Sequence, residues 1–324
     1  MTTELVLLGT AGAPLPVAGR AGISSALLVG HRVFVIDCGR GSPSAFADAG
    51  LDFRCLEAIF LTHFHADHTG DLAGLLLYPW GIRRSATGPL PPVTVYGPSR
   101  LDVLPDGDAS FPRQTTICPE RPAPGTRDLI QCILAGYAYH LNMMPLDASM
   151  PDPAELVRAV DIHVPARMPG TRQVPMVVVR DESVQVTAVT VRHGRAAPAF
   201  AYRFDTPDGS VVFSGDTTVD DDLITLATDA DILVHHVADL DYLQRHGVTG
   251  PALDHMRGLH TDVNEVGGVA ERAGVGELIL THYLPAEPTA ISLADWAKRA
   301  GRAFSGQTTA GHDGLRRTLT RRPR

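Results

Sequence analysis

The chain is short of cysteine, of long apolar runs and of basic charge, and each shortage argues against a class of protein. Cys38, Cys55, Cys118 and Cys132 are the only cysteines in 324 residues, and no two stand in CxxC spacing. They read as reduced thiols, not as a disulfide framework or a thiolate zinc site. No stretch of about twenty apolar residues occurs, so no membrane span is expected. Residues 1–7 lack the basic region and cleavable apolar stretch of a secretory signal, which points to the cytoplasm. Net charge is −8 with histidine neutral. A protein built to grip RNA usually shows a basic face, so this balance weighs against a nucleic-acid substrate. The only dense basic run is the tail, with Arg316, Arg317, Arg321, Arg322 and Arg324, which reads as a frayed end. No internal repeat or low-complexity linker interrupts the chain.

Hydrophobic residues make up 44% of the sequence, enough to bury a large core as one domain over 1–324. Against that background one hexapeptide stands out. Residues 63–68 read His-Phe-His-Ala-Asp-His, directly after the apolar run 59–61. Three imidazoles and a carboxylate at this density suit zinc. If a strand delivers the start of this loop, His63 and His65 can turn toward one ion, and Asp67 and His68 toward a second. Three further ligand types stand where strands should end. His193 follows the alternating run 185–191, Asp216 follows 211–215, and His282 follows 277–281. Each alone is weak. Together with the hexapeptide they make seven donors, enough for two metal ions.

These residues carry a family resemblance. The HxHxDH motif, a later histidine, an aspartate and a final histidine resemble the metallo-β-lactamase superfamily, over most of the chain. Finer features are similar to its ribonuclease Z and arylsulfatase-like branch: Leu8-Gly9-Thr10, the run 37–41 (Asp-Cys-Gly-Arg-Gly), the run 214–217 (Ser-Gly-Asp-Thr), and His260-Thr261 ahead of Thr281-His282. The resemblance implies a first metal site of His63, His65 and His193, a second of Asp67, His68 and His282, and Asp216 between the ions. It implies two zinc ions per chain, with manganese or iron as alternatives, and a metal-bound hydroxide as nucleophile. Asp67 would also orient that nucleophile. His260 would be the general acid, a role that needs only a modest pKa shift in a histidine. Asp37 would hold a ligand histidine or its loop, or simply form a turn.

Two residues depart from ribonuclease Z. His236 stands where a glutamate normally supports the acid histidine, and Arg40 stands where the first glycine-rich run normally has glutamate. His236 cannot raise the pKa of His260 as a carboxylate would. Both departures argue against tRNA cleavage.

Short β-like runs recur before residue 98 and again after 182, with helical stretches between some of them, notably 262–273 and 292–303. Two sheets packed face to face with helices outside is the natural solution, and the resemblance implies the same α/β fold, an αββα four-layer sandwich. Residues 98–182 break the rhythm. They contain many prolines, an apolar stretch at 129–144 and a predicted helix over 151–160, and they read as a helical insertion covering the metal cleft. Tyr137, Tyr139 and His140, with Met143 and Met144, would then wall a pocket for an apolar or aromatic group. Plain packing core or a homodimer contact is the competing reading of the same residues. The leading expectation is a dinuclear zinc hydrolase of a small ester-type substrate: a sulfate ester, phosphodiester or lactone. A tRNA 3′-end endonuclease is the first alternative, and a non-hydrolytic oxidoreductase or interaction module the second.

Overall fold

The computed structural model describes residues 2–85, 88–105, 115–164 and 172–322. Most of the apolar runs fold as strands bounded by glycine and polar turns. In the first half these are β1 (Thr3–Gly9), β2 (Ser24–Val29), β3 (Arg32–Ile36) and β4 (Leu56–Phe60), with α1 (Ser42–Asp48) between the last two. Gly30 closes the β2–β3 hairpin with φ 64°, a value that glycine adopts without strain. There follow α2 (Ala66–Thr69), α3 (Leu72–Leu77), a small ladder of β5 (Arg84–Ser85) and β6 (Gly88–Pro89), then β7 (Val93–Pro98). A helical pair, α4 (Thr126–Gly136) and α5 (Ala138–Asp147), leads to β8 (Val157–Ile162).

The second half begins with β9 (Met176–Arg180), β10 (Gln185–Val191), β11 (Ala199–Thr206) and β12 (Gly209–Phe213). It continues through α6 (Asp221–Leu226), β13 (Ile232–Ala238), α7 (Leu240–Arg245), α8 (Pro251–Leu259), α9 (Val266–Ala273) and β14 (Glu277–Leu284). It ends with α10 (Leu293–Ala300), β15 (Gln307–Ala310) and β16 (Arg316–Thr318).

Two large sheets result, ordered β16-β1-β2-β3-β4-β7-β8 and β15-β14-β13-β12-β11-β10-β9. Their facing sides share one core, in which Leu7, Phe34 and Phe60 of the first sheet meet Phe200, Tyr202 and Phe204 of the second. The outer face of the first sheet is covered by Phe46 of α1, Leu72 and Leu75 of α3 and Ile130 of α4. The outer face of the second is covered by Leu223 of α6, Val269 of α9 and Trp296 of α10. This is the αββα sandwich. No helix among the described residues is long and apolar enough to cross a membrane.

Several expectations give way. Residues 151–160 form no helix: one 3-10 turn over Pro153–Glu155 is followed at once by β8. The helix-forming character of Ala154, Glu155 and Leu156 is overridden by a continuous parallel ladder, from Val93↔Val157 to Pro98↔Ile162. Among the described residues of 98–182 only the α4–α5 pair is regular helix, while β8 and β9 supply an edge strand to each sheet. Residues 106–114 and 165–171 of that stretch lie outside the described residues. The helix expected from 262 starts at Val266, because residues 262–265 form a turn in which Asp262 Oδ1 accepts from the Asn264 amide. The tail is not frayed. Arg316 pairs with Glu4, Arg317 with Glu277 and Arg322 with Asp231, and β16 adds to the edge of β1. Pro323 and Arg324 lie outside the described residues.

Parallel pairing brings strand ends together. β4 runs parallel to β3 and β7, and β12, β13 and β14 run parallel to one another, so their carboxyl ends open on shared edges.

Candidate metal centre

Three strand ends and one bulged strand deliver the seven predicted donors; His282, expected after a strand, lies inside one. Beyond β4, residues 63–68 turn through a short loop into α2. There His63, Asp67 and His68 are buried, while His65 stays exposed. His193 follows β10. Asp216 follows β12 through Gly215, whose φ of 58° makes the turn; a Cβ there would sit 2.5 Å from the Phe200 carbonyl oxygen. His282 lies within β14 as an extra residue opposite the His236–Val237 step, with φ 48°. Such a bulge re-aims a side chain, here toward the cleft.

The structure brings all seven together. One group is His63, His65 and His193, whose ligand atoms lie within 4.8 Å of one another; Nε2 of His193 is 3.2 Å from Nδ1 of His65. A second is Asp67, His68 and His282, with Nε2 of His282 3.2 Å from Asp67 Oδ2. Asp216 stands between them. Its Oδ2 lies 3.3 Å from His282 Nε2, 3.6 Å from His68 Nε2 and 3.8 Å from His193 Nε2. Two carboxylates among imidazoles suit divalent cations.

The donor atoms themselves test whether metal fits. Among the described residues, His63 Nε2, His68 Nε2 and Asp216 Oδ1 are buried without a hydrogen-bond partner. An unsatisfied buried polar atom costs about 1–3 kcal/mol, so their convergence fits cations that would satisfy them together. Burial pushes His63 well below the ordinary histidine range, which leaves the lone pair available. Burial opposes ionisation of Asp67, but the hydrogen bond from His282 and the nearby His68 outweigh it and hold the carboxyl at about 2. Burial likewise opposes ionisation of Asp216, but His282 and His68 hold it well below the carboxylate range.

Behind the donors lies a layer of orienting groups. Asp37, at φ 59°, accepts from His68 Nδ1 and from Thr62 Oγ1, both at 2.8 Å, through Oδ2, and from the Thr62 amide at 2.8 Å through Oδ1. It thereby fixes the ring of His68 with Nε2 toward the cleft. His193 Nδ1 donates to the Leu259 carbonyl at 2.9 Å. Asp37→Asn keeps the shape and tolerates the positive φ, but it removes the charge. We expect metal affinity to fall about 10–100-fold by chelator competition, with the fold intact by circular dichroism. Undiminished affinity would reduce Asp37 to a turn residue.

His236 is engaged at both ring nitrogens. Nδ1 donates to the Gly215 carbonyl at 3.0 Å, and Nε2 accepts from the Thr261 amide at 3.0 Å. It ties the segment before Asp216 to the segment after His260. His260 caps α8 and is buried, with Nδ1 unpartnered among the described residues and 3.8 Å from Asp216 Oδ2. The modest pKa shift expected of it is instead a large drop, to about 3, caused chiefly by burial. Burial therefore favours the uncharged imidazole. Tyr137, Tyr139 and His140 sit on the α4–α5 pair. Tyr139 is 81% exposed, and His140 meets Trp80 edge-on beside Leu141. Sequence reasoning missed Thr62 and Gly12. A Cβ on Gly12 would lie 2.7 Å from His282 Nδ1, so only glycine leaves that ring in place. Neither is a ligand type, and no spacing marks them.

A ribonuclease Z from Mycobacterium sp. (strain KMS) is 33% identical over 316 residues, covering 96% of this chain and 94% of that protein. This chain belongs to the ribonuclease Z family of the metallo-β-lactamase superfamily. It is a metal-dependent hydrolase acting on ester bonds. The ribonuclease Z of Mycobacterium bovis (strain BCG / Pasteur 1173P2) is 28% identical, over 96% of each chain. The family model described as Beta-lactamase superfamily domain matches residues 136–283, and that of Anti-Pycsar protein Apyc1 matches residues 3–80. The fold of the human short-form tRNase Z superposes with TM-score 0.65 at 17% identity, covering 98% of this chain and 99% of that one. The metallo-β-lactamase fold protein YhfI from Bacillus subtilis superposes with TM-score 0.63 at 18% identity, covering 98% of this ribonuclease Z family chain and 100% of its own.

Proposed function

We propose that the protein is a phosphodiesterase of RNA, of the kind that processes tRNA 3′ ends, with two zinc ions per chain. One observation carries this reading: the ligand set closes on Asp216 in a chain that matches ribonuclease Z proteins along 94% of their length. The small-ester substrate expected from the sequence is the weaker reading beside those relatives. Divalent ions in the two groups would supply a water of lowered pKa and polarise a phosphoryl oxygen. The chain's own residues account for the rest. Asp67 and Asp216, both ionised, supply the negative charge that matches two cations. Asp37 and His236 hold the loops that carry His68 and His260. His260 points Nδ1 into the centre, where a proton on that atom would pass to the leaving oxygen.

A small phosphodiester is the second reading, and charge favours it. Among the described residues of the tail, Arg316, Arg317 and Arg322 are committed to Glu4, Glu277 and Asp231, so these three form no free phosphate-binding strip. Zinc-loaded protein should be assayed on precursor tRNA, bis(4-nitrophenyl) phosphate and 4-nitrophenyl sulfate. Cleavage of the tRNA at the 3′ side of the acceptor stem, falling steeply with salt, is expected. Cleavage of the small diester alone selects the second reading, and cleavage of the sulfate alone sinks both.

A further inference from the structure

Beside the metal loop lies a second hollow, of ≈ 380 Å³, within the range of small-molecule sites. Its walls grow from the segments that carry the ligands. Phe64 stands between His63 and His65, and Thr69 directly follows His68. Pro198 comes five residues after His193. Ser99 and Leu101 extend from the end of β7, where the Leu101 amide donates to the Ala123 carbonyl at 3.1 Å, and Leu129 reaches in from α4. None of the described lining residues is charged. Arg100, between Ser99 and Leu101, turns away: its Nε donates to Asp128 Oδ2 at 2.9 Å.

We propose that this hollow is a base pocket, holding the uncharged flat ring of the nucleotide next to the scissile phosphodiester. The proposal deepens the phosphodiesterase reading and rests on it. An uncharged, mostly apolar lining disfavours a phosphate, because nothing in it offsets the loss of hydration. The same lining suits a ring face, with Phe64, Leu101, Leu129 and Pro198 as half-buried apolar surfaces. Thr69 and Ser99 add hydroxyls that a ring edge can use, although Thr69 Oγ1 already donates to the His65 carbonyl at 3.2 Å. The pocket also shares its wall with the metal loop. A diester gripped at the ligands therefore has this hollow beside it. Leu101 and Leu129 are then specificity-determining residues that touch the ring and not the reacting atoms.

Leu101→Trp should fill the pocket and Leu101→Ala should widen it, neither touching a ligand. Two substrates with the same leaving group, thymidine 5′-(4-nitrophenyl phosphate) and methyl 4-nitrophenyl phosphate, isolate the nucleoside, and a ribose 5-phosphate control separates its sugar from its base. For wild type, kcat/KM should favour the nucleoside ester by ~10-fold or more, the scale of one stacked base. Leu101→Trp should erase that advantage through KM and leave the methyl ester little changed, with metal content unaltered. A second readout needs no catalysis. In saturation-transfer NMR, the ring protons of cytidine and adenosine should receive magnetisation from wild type but not from Leu101→Trp, and ribose 5-phosphate should not respond to the substitution. Equal rates on the two esters, or nucleoside binding indifferent to Leu101→Trp and Leu101→Ala, would overturn the pocket and leave the phosphodiesterase reading standing. Binding of 4-nitrophenol without either nucleoside would overturn it in favour of an aryl site. If metal-loaded wild type cleaves neither ester nor precursor tRNA, the phosphodiesterase reading fails, and nucleoside binding then decides the pocket on its own.

Discussion

Asp216→Asn should empty both halves of the metal centre at once. The carboxylate oxygen Oδ2 lies within 3.8 Å of ligand nitrogens from both groups: His193 on one side, His68 and His282 on the other. A neutral amide of the same shape keeps the packing and removes the one negative charge that two cations would share. Metal measured by plasma mass spectrometry should fall from about two ions per chain, the count of a two-metal site, to below one. Hydrolysis should fall by ~10³ or more, beyond the loss from a single transition-state donor. His65→Ala makes the control: it touches only the first group and should leave about one ion, on the same two-metal count. If Asp216→Asn retained both ions, the carboxylate would not lie between them.

His260→Ala should separate substrates by their leaving groups. The ring is buried against Asp216, with Nδ1 uncommitted among the described residues. If it protonates the departing oxygen, its loss should slow RNA and alkyl diesters by ~10²–10⁴. Nitrophenyl esters, whose leaving group departs without a proton, should be nearly unaffected. Metal content should not change, because each of the two main groups keeps its three donors without His260, which clusters only with Asp216 and His282. Equal losses on both classes of substrate would make it a positioning residue, acting through Asp216 or His282.

The candidate ligands were legible because ligand chemistry is concentrated. His63, His65, Asp67 and His68 sit in six residues after an apolar run, and His193, Asp216 and His282 each mark the end of one. The strands that carry them are buried on both faces, so their apolar runs are dense and their limits clear; β10 occupies the predicted 185–191. Edge strands were not legible. β8 and β9 are half-buried, and what makes each a strand is the backbone of its neighbour, not its own pattern. The ion pairs that hold the tail were invisible for a related reason: Glu4, Glu277 and Asp231 lie far away in sequence. The bulge at His282 leaves no compositional trace either, since it is a property of two strands compared. His236 could be seen to differ from a carboxylate, but not that its two nitrogens would bind backbone on either side of the centre.

The ligands are divided between the two sheets, and that division makes the centre mechanical as well as chemical. His63, His65, Asp67 and His68 hang from the first sheet, while His193, Asp216 and His282 hang from the second. Each ligand group therefore draws on both, and each ion would be a rivet across the seam of the sandwich. A rivet present only in the folded state adds stability that grows with free metal, about 2.7 kcal/mol when metal stands at 100 times its dissociation constant. The melting temperature of this protein thus becomes a gauge of the metal in its buffer. Chelation should open the sandwich first along the edge where the two sheets meet at the ligands, while the aromatic core around Phe34 and Phe204 still holds the far side closed.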